Sequence, residues 1–205
     1  MICIIDYGVG NLFSLKSSFS AIGVDVVTSG DIEVIKKADK IILPGVGAFE
    51  DAANKLFSSG IADVVIEKAK NGTKLLGICL GMQLLFDKSF EYGEHKGLGL
   101  IKGEVMPISD VIPKDLKIPH IGWNALNFNG KNNEIFKYLT DGDYVYFVHS
   151  FYAADCDDSL VAACDYGKEI TALAARDNVM GCQFHPEKSG PVGLSILKAF
   201  CEVSL

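Results

Sequence analysis

Short apolar runs alternate with helical periodicity through roughly the first eighty positions of the chain. The runs predicted as strands are residues 2–6, 24–27, 40–43 and 74–79. The segments whose apolar residues fall on one helical face are residues 12–22, 52–56 and 61–69. Strands that alternate with helices imply right-handed crossovers. The pattern therefore predicts an α/β fold with an open, doubly wound, mostly parallel central sheet.

The pattern changes after about residue 97, where short apolar runs are separated mainly by turn residues. The runs predicted as strands here are "GLGLIKGEV", "DYVYFVHSFYA", "SLVAAC", "ITALAA" and "VMGCQF". Such spacing is typical of an antiparallel extension to the sheet. A final helix is predicted at 192–203. Because no repeat or linker interrupts the pattern, we expect a single domain over residues 1–205.

The charge balance excludes several classes of partner. Hydrophobic residues make up 49% of the chain, charged residues 22%, and the formal net charge is −7. An acidic chain with a single arginine, Arg176, is poorly suited to bind nucleic acid or an anionic membrane. The chain contains no apolar run near the roughly 18–20 residues that span a bilayer. The opening "MICIIDYG" has no signal-peptide character, so we expect a cytoplasmic protein.

The six cysteines are scattered along the chain without a CxxC pair. This spacing predicts neither a disulfide scaffold nor a structural zinc site, and it fits a reducing compartment. We therefore expect no metal and no cofactor. Most of these thiols are expected to be small, inert members of the core.

One cysteine stands out because it lies between two glycines at the end of a predicted strand. In "KLLGICLGMQLLF" (74–86), Gly77 and Gly81 flank Cys79 in a G-x-C-x-G pattern, and residues 82–86 are predicted to continue as a helix. This pattern is similar to a nucleophile elbow, and a thiol at a helix N-terminus is favoured as the thiolate. A buried cysteine at a tight junction is the alternative, and this segment alone does not decide.

A second segment, "GCQFHPEKSG" (181–190), supplies a candidate base. In an extended chain the side chains of His185 and Glu187 point to the same side, so the carboxylate can orient the imidazole. The alternative is a His-Pro-Glu turn that simply ends a strand. A metal site is not indicated, because no ligand spacing relates the remaining histidines, His95, His120 and His149.

A third segment, "LPGVGAF" (43–49), offers backbone donors. Glycines on either side of Val46 allow N–H groups to point into a site, where they stabilise an oxyanion together with the N–H of Leu80. The segment lacks the motifs of phosphate-binding loops. The turns "DYGVGN" (6–11), "PGVGAF" (44–49) and "GICLGM" (77–82) each follow a predicted parallel strand, so we expect these three loops to share the edge of the sheet where α/β proteins bind ligands.

Taken together, these segments resemble the class I (triad-type) glutamine amidotransferases. The resemblance runs nearly end to end and rests on "IIDYGVGNL", "LPGVGAF", "GICLGMQLLF", "IPHIGWN", "FVHSFYA" and "GCQFHPEKSG". Within that family the chain is most similar to glutaminase subunits of imidazole glycerol phosphate synthase. The resemblance implies a class I amidotransferase fold and a Cys-His-Glu triad of Cys79, His185 and Glu187, which hydrolyses L-glutamine to glutamate through a thioester.

The resemblance also implies roles for other residues. The oxyanion hole would be framed by Val46, Gly47 and Leu80, and glutamine would be held by Gln83, Glu91, Ser150 and Phe151. Phe151 stands where the family commonly has tyrosine. A separate (β/α)8-barrel cyclase subunit would form a heterodimer with this chain and use the ammonia to make imidazole glycerol phosphate and AICAR. The residues expected to face that partner are Trp123, Asn124, Tyr146 and Lys188.

Three alternatives stay open at the level of the sequence. A paralogous subunit would feed ammonia to a different synthetase, for example in surface-sugar amidation, and the residues of this chain do not separate the two. A regulatory α/β subunit would keep the fold without activity, although the complete triad argues against it. A different thiol hydrolase or isomerase of similar fold is the third alternative.

Overall fold

A computed structural model describes residues 1–203, so the last two residues of the predicted 1–205 domain lie outside the described residues. The strands are β1 Ile2–Ile5, β2 Val26–Ser29, β3 Lys40–Leu43, β4 Lys74–Ile78, β5 Lys88–Ser89, β6 His95–Lys96, β7 Glu104–Pro107, β8 His120–Ala125, β9 Tyr144–His149, β10 Phe151–Ala154, β11 Leu160–Asp165, β12 Glu169–Arg176 and β13 Val179–Cys182. The α-helices are α1 Leu12–Ala21, α2 Ile32–Lys36, α3 Phe49–Ser58, α4 Ile61–Lys70, α5 Leu80–Gln83 and α6 Gly190–Glu202.

The central sheet has seven strands in the order β11-β12-β13-β4-β3-β1-β2. The five strands from β13 to β2 are parallel, and β12 and β11 continue the sheet in antiparallel pairs. This arrangement confirms the predicted mostly parallel sheet with an antiparallel extension. Because β1, β3 and β4 are neighbours, the loops that follow them meet at one edge of the sheet, and β13 lies beside β4 on the other side.

Both faces of the sheet are covered, which explains why its strands are apolar at consecutive positions. In β1, for example, Cys3 and Ile5 face one layer of the core while Ile4 faces the other. Helices α2, α3 and α4 pack on the first face, and α1 and α6 pack on the second. No helix within residues 1–203 is long and apolar enough to cross a membrane.

Two smaller sheets lie beside the central one. Strands β8 and β9 form a two-stranded ribbon, and the other sheet has the order β10-β7-β5-β6. The segment "DYVYFVHSFYA", predicted as one strand, is in fact divided at Ser150 between β9 in the ribbon and β10 in the four-stranded sheet. The predicted strand at 24–27 lies two residues too early, and the short helix α2 was not predicted.

The helix predicted to continue through residues 82–86 is wrong, because α5 ends after one turn at Gln83. The N–H groups of Leu85 and Phe86 donate to carbonyls three residues back instead of four, and the carbonyls of Leu84 and Leu85 accept hydrogen bonds from the N–H groups of Leu98 and Leu100, each at 2.8 Å. The same contacts explain why the run at 97–105 is largely irregular, with only its end in β7. Its N–H groups bind the chain after α5 instead of a neighbouring strand.

Candidate active site

Cys79 occupies a sharp turn between β4 and α5. Its backbone has φ 55° and ψ −112°, a conformation that is costly for a residue with a side chain. The N–H of Cys79 donates to the carbonyl of Cys182 at 2.8 Å, so β13 holds the start of the turn. The side chain is mostly buried, but it lines a cavity at the carboxyl edge of the sheet. This is the geometry of a nucleophile elbow.

The glycines of the G-x-C-x-G pattern are required by close backbone packing. A Cβ on Gly81 would lie 1.9 Å from the carbonyl oxygen of Leu43, at the end of β3. A Cβ on Gly77 would lie 2.6 Å from the carbonyl oxygen of Gly81. A side chain at position 81 would push the elbow away from β3 and the loop that follows it, and one at position 77 would push the start of α5 away from β4.

His185 is the third residue after the end of β13, and its ring is fixed by Glu187. The distance from His185 Nδ1 to Glu187 Oε1 is 2.8 Å, and the two side chains are 3% and 4% exposed. The predicted pairing of these side chains is therefore present, but its predicted cause is not. Glu187 lies in a 3₁₀ turn, Pro186–Lys188, instead of an extended strand, and this turn brings the carboxylate behind the imidazole.

The surroundings of His185 favour its charged form. Burial lowers the pKa of the imidazole, but hydrogen bonding and charge interactions with Cys79 and Glu187 outweigh burial and raise the pKa to about 9. With Nδ1 donating to Glu187, the other ring nitrogen remains for the proton that passes between thiol and substrate. The site thus brings together a thiol, an imidazole and a carboxylate that orients the imidazole.

A cavity of about 400 Å³ opens above Cys79 and His185. It is lined by all the residues predicted for the oxyanion hole and for glutamine, which are Val46, Gly47, Leu80, Gln83, Glu91, Ser150 and Phe151. Lys188 also lines it, whereas Glu187 lies behind His185 and does not. The lining residues that were not indicated by the sequence are Tyr92, Pro119, Val148 and His149.

The loop between β3 and α3 forms one wall of the cavity. It is anchored from the neighbouring loop, because the buried Tyr7 hydroxyl donates to the carbonyl of Pro44 at 2.7 Å. Burial, and to a smaller extent the nearby Cys79, raise the pKa of Tyr7, so the phenol stays a donor. Past this anchor Gly47 has φ +96°, which few other residues tolerate.

Glu91 reaches the cavity while also capping a helix. Ala48 has no side chain to cap α3, and Glu91 Oε2 accepts the N–H of Phe49 at 2.7 Å instead. Burial raises the pKa of Glu91, and the hydrogen bond from Phe49 opposes that rise. One carboxylate oxygen is thus fixed by the helix, which leaves the other available to bind a cationic group in the cavity.

Gln183 is a residue of the site that sequence reasoning missed. It is fully buried, and its Nε2 lies 3.8 Å from Cys79 Sγ, within hydrogen-bonding distance of sulfur. Its Oε1 accepts a hydrogen bond from Gln83 Nε2 at 3.0 Å, and the same Nε2 donates to the carbonyl of Phe151 at 3.1 Å. The signal was present in the sequence, because Gln183 precedes His185 by two positions on the strand-like run.

Three of the four residues predicted to face a partner form an aromatic patch beside the cavity. Trp123 is 51% exposed and packs edge-on against Tyr146, with ring centroids 6.0 Å apart. The ammonium of Lys188 lies 5.8 Å from the centre of the Tyr146 ring. Asn124 differs, because its side chain bonds to His120 and to the carbonyl of Asp165.

The remaining thiols are separated from Cys79 by their surroundings. Burial raises the pKa of the other five cysteines, which are Cys3, Cys156, Cys164, Cys182 and Cys201. They are therefore held as protonated thiols, and none of them lines the cavity. Within residues 1–203, the side chains include no group of three or more His, Cys, Asp or Glu placed to hold a metal ion.

Known proteins similar to this chain include both close relatives and structures of the same fold. A family model described as glutamine amidotransferase class-I matches residues 3–203. The imidazole glycerol phosphate synthase subunit HisH of Lactococcus lactis subsp. lactis is 51% identical over 202 residues, which cover 98% of this chain and 98% of the relative. The HisH subunit of Caldanaerobacter subterraneus subsp. tengcongensis is 48% identical over 204 residues, covering 99% and 98%.

Solved structures agree at the level of the fold. A glutamine amidotransferase crystal structure superposes with a TM-score of 0.76 at 17% identity, covering 98% of each chain. PurLQS from Thermotoga maritima gives a TM-score of 0.71 at 20% identity, covering 98% of this chain and 97% of the other. With the family match and the close relatives, these findings show that the chain belongs to the class I glutamine amidotransferases and, within them, to the HisH subunits of imidazole glycerol phosphate synthase.

Proposed function

We propose that this chain hydrolyses L-glutamine to glutamate through a thioester on Cys79 and supplies the ammonia to a cyclase subunit. That partner would make imidazole glycerol phosphate and AICAR in histidine biosynthesis. One observation carries the catalytic part of the proposal. His185 lines the same cavity as Cys79 and is held from behind by Glu187 at 2.8 Å.

The proposed reaction begins with attack of Cys79 Sγ on the carboxamide carbon of glutamine. As the C–S bond forms, the carbonyl oxygen becomes an oxyanion, which backbone N–H groups of Leu80 and of Val46–Gly47 stabilise. His185 carries the thiol proton to the amide nitrogen, the C–N bond breaks, and ammonia leaves. Water then attacks the γ-glutamyl thioester while His185 accepts its proton, and cleavage of the C–S bond returns the thiol and releases glutamate.

The cavity offers matched partners for the polar ends of free glutamine. The carboxylate of Glu91 is suited to the substrate ammonium. Both hydrogens of the Gln83 amide donate to protein acceptors, so its oxygen is the atom that faces the substrate. The backbone of Ser150 and Phe151 would complete the contacts. Because Phe151 acts here through its main chain, the absence of the family's usual tyrosine hydroxyl does not remove them.

We propose that the partner is a (β/α)8-barrel cyclase that forms a heterodimer with this chain. The exposed aromatic patch supports a docking surface beside the cavity, formed by Trp123, Tyr146 and Lys188. Ammonia released next to such an interface passes to the partner without reaching solvent. The chain 1–205 would act as one amidotransferase domain, and its six free cysteines fit the cytoplasm.

The experiment that tests the catalytic proposal measures glutamate release by the complex with a cognate cyclase. We expect Cys79→Ser to lower the rate by about 10³-fold or more. Cys201→Ser, which changes a thiol on α6, is the matched control and should retain the parent rate. An electrophilic diazoketone analogue of glutamine should alkylate Cys79 with loss of N2, so the peptide that contains Cys79 should gain the mass of the analogue less that of N2. Equal rates for the two variants would refute the nucleophile assignment.

The identity of the partner that uses the ammonia is tested separately from the glutaminase step. With glutamine as the nitrogen source, the complex with a histidine-pathway cyclase should form imidazole glycerol phosphate. Glutamate release without this product, restored by a synthetase from another amidation pathway, would instead support the paralogous subunit. No glutamate release with either partner would support the regulatory alternative.

A further inference from the structure

Two buried histidines outside the triad lie side by side on the β8–β9 ribbon. His120 and His149 are paired across the two strands, and they are 0% and 6% exposed. His120 Nδ1 lies 2.9 Å from His149 Nε2, so the rings share a hydrogen bond. The catalytic scheme above gives neither ring a task. Buried imidazoles that bond to one another are costly, which makes their other contacts informative.

The pair joins two different parts of the molecule. On one side His149 Nδ1 donates to the carbonyl of Phe151 at 2.8 Å. On the other side His120 Nε2 lies 2.8 Å from Asn124 Oδ1, and Asn124 Nδ2 donates to the carbonyl of Asp165 at 2.9 Å. The pair therefore links the ribbon and β11 to the backbone of the glutamine site.

The link continues from the Phe151 carbonyl to the nucleophile. That oxygen accepts a second hydrogen bond, from Gln83 Nε2 at 3.1 Å. Gln83 also donates to Gln183 Oε1 at 3.0 Å, and Gln183 Nε2 lies 3.8 Å from Cys79 Sγ. One unbroken series of contacts thus runs from Asn124 to the thiol. Between the Phe151 carbonyl and the thiol it passes through two side-chain amides, those of Gln83 and Gln183.

We propose that His149, supported by His120, is a positioning residue for glutamine hydrolysis. By holding the Phe151 carbonyl, it fixes the acceptor that orients Gln83 and, through Gln83, the Gln183 amide beside Cys79. This inference rests on the proposed glutaminase function of the same cavity.

The number of available hydrogens determines which ring nitrogen of His149 must be protonated for the proposed role. The series from the Phe151 carbonyl to Asn124 Oδ1 contains three contacts and ends on an acceptor at each side. Two neutral imidazoles carry two N–H hydrogens, so a neutral pair leaves one of the three contacts without a hydrogen. Burial lowers the pKa of both rings, for His149 to about 3, so the pair is neutral near pH 7. Positioning of Phe151 requires that His149 keep its hydrogen on Nδ1.

Substitutions separate this role from simple packing. His149→Leu removes both ring contacts, whereas His149→Asn keeps an amide donor near the place of Nδ1 for the Phe151 carbonyl. Tyr166→Leu is the control, because Tyr166 stacks on His120 with ring centroids 3.9 Å apart but forms none of the contacts in the series. It disturbs the packing of the same pair and removes the hydrogen bond from the Tyr166 hydroxyl to the carbonyl of Lys117, but it leaves the hydrogen bonds of the series in place.

The measurements are glutamate release by each complex and calorimetric binding of glutamine to the same variants in a Cys79→Ala background. We expect His149→Leu to raise KM and the dissociation constant for glutamine about tenfold, the effect of one lost hydrogen bond. His149→Asn should recover most of that loss, and Tyr166→Leu should leave both constants within about twofold. Equal effects of His149→Leu and Tyr166→Leu, or no recovery by asparagine, would overturn the proposal.

A spectroscopic measurement tests the hydrogen count directly. In protein labelled with ¹⁵N-histidine, the ring assigned to His149 by its loss in His149→Asn should show a protonated Nδ1 and an unprotonated Nε2 at pH 7. The opposite tautomer cannot donate to Phe151 and would refute the positioning role. If the parent complex releases no glutamate at all, the proposed function is wrong. If the parent complex is active and His149→Leu has the same KM and dissociation constant for glutamine, only the positioning role of His149 is wrong.

Discussion

Two histidines, His185 and His149, line the same cavity, yet their surroundings drive them to opposite charge states. Both rings are buried, and in both Nδ1 donates to an oxygen at 2.8 Å. In His185 that oxygen belongs to the carboxylate of Glu187, and the pKa is raised to about 9 despite burial. In His149 it is a neutral carbonyl, and burial dominates, so the pKa is lowered to about 3. Burial lowers the pKa of both rings, but Cys79 and the carboxylate of Glu187 outweigh it at His185, whereas at His149 only the neutral carbonyl of Phe151 opposes it.

The second ring nitrogen completes the difference. In His185 it is free to exchange a proton with Cys79 and a substrate, whereas in His149 it bonds to His120. A ring that changes its protonation state during turnover needs a charged partner to stabilise the imidazolium. A ring that only holds other groups in place is better kept neutral. The following predictions test this contrast, beginning with the largest expected effect.

Removing the charge behind His185 should abolish most of the activity. Glu187→Gln keeps the size of the side chain but loses the carboxylate, so His185 keeps at most a neutral amide oxygen as its acceptor and loses one of the two charges that raise its pKa. We expect kcat for glutamate release to fall by about 10²- to 10⁴-fold. Steady-state kinetics of the complex provide the measurement.

Glu202→Gln is the matched control, because it removes an exposed carboxylate that pairs with Lys137 on the surface. Its rate should equal that of the parent. If Glu187→Gln retained a rate within tenfold of the parent, the charge of Glu187 would not be what distinguishes His185 from His149.

The two histidines should also give stability opposite dependences on pH. The folded-state pKa of His149 is lowered, so the unfolded chain binds its proton more readily, and the free energy of unfolding falls as the pH drops from about 6.5 towards 3. The loss from this group alone is about 2 kcal/mol at pH 5. The folded-state pKa of His185 is raised, so its stabilisation is complete below about pH 6.5 and disappears as the pH rises through about 9.

Denaturant unfolding between pH 5 and 9 checks both predictions, which are an acid limb and an alkaline limb in the plot of the free energy of unfolding against pH. His149→Leu should flatten the acid limb and leave the alkaline one, whereas Glu187→Gln should flatten the alkaline limb and leave the acid one. A variant that changed both limbs equally would show that the two rings titrate as one unit instead of two independent ones.

Much of the fold was predictable because its strands and turns are determined locally. The strand at 40–43 and, apart from the short α2, the order of strands and helices before Cys79 follow from hydrophobic periodicity. What failed was determined by contacts distant in sequence. After the short α5, the chain is held by hydrogen bonds from Leu98 and Leu100, which follow it by more than ten residues. Residues 143–153 divide at Ser150 because the first part of this apolar run pairs with β8 and the second part pairs with β7.

The candidate site divides in a similar way. Cys79, His185 and Glu187 were predicted because each belongs to a short segment with distinctive chemistry. Gln183, His120 and His149 were not, because their importance lies in contacts between segments, such as the 2.9 Å bond between two strands of the ribbon. The sequence around a histidine in an apolar strand does not indicate whether the ring packs in the core, binds a ligand or holds another group in place. The role of the ring depends on the hydrogen-bond acceptors that the fold places around it.

The smallest expected effect concerns Phe151, whose carbonyl connects His149 to Gln83. Its ring packs edge-on against Tyr92, with centroids 6.2 Å apart, and takes no part in the hydrogen bonds. Phe151→Tyr adds a hydroxyl and leaves the main chain in place, so KM for glutamine should stay within about threefold of the parent, less than the effect of one lost hydrogen bond. Steady-state kinetics of the complex measure it. A tenfold change in KM would mean that the Phe151 ring contacts the substrate. The carbonyl held by His149 would then account for only part of the effect of Phe151 on glutamine binding.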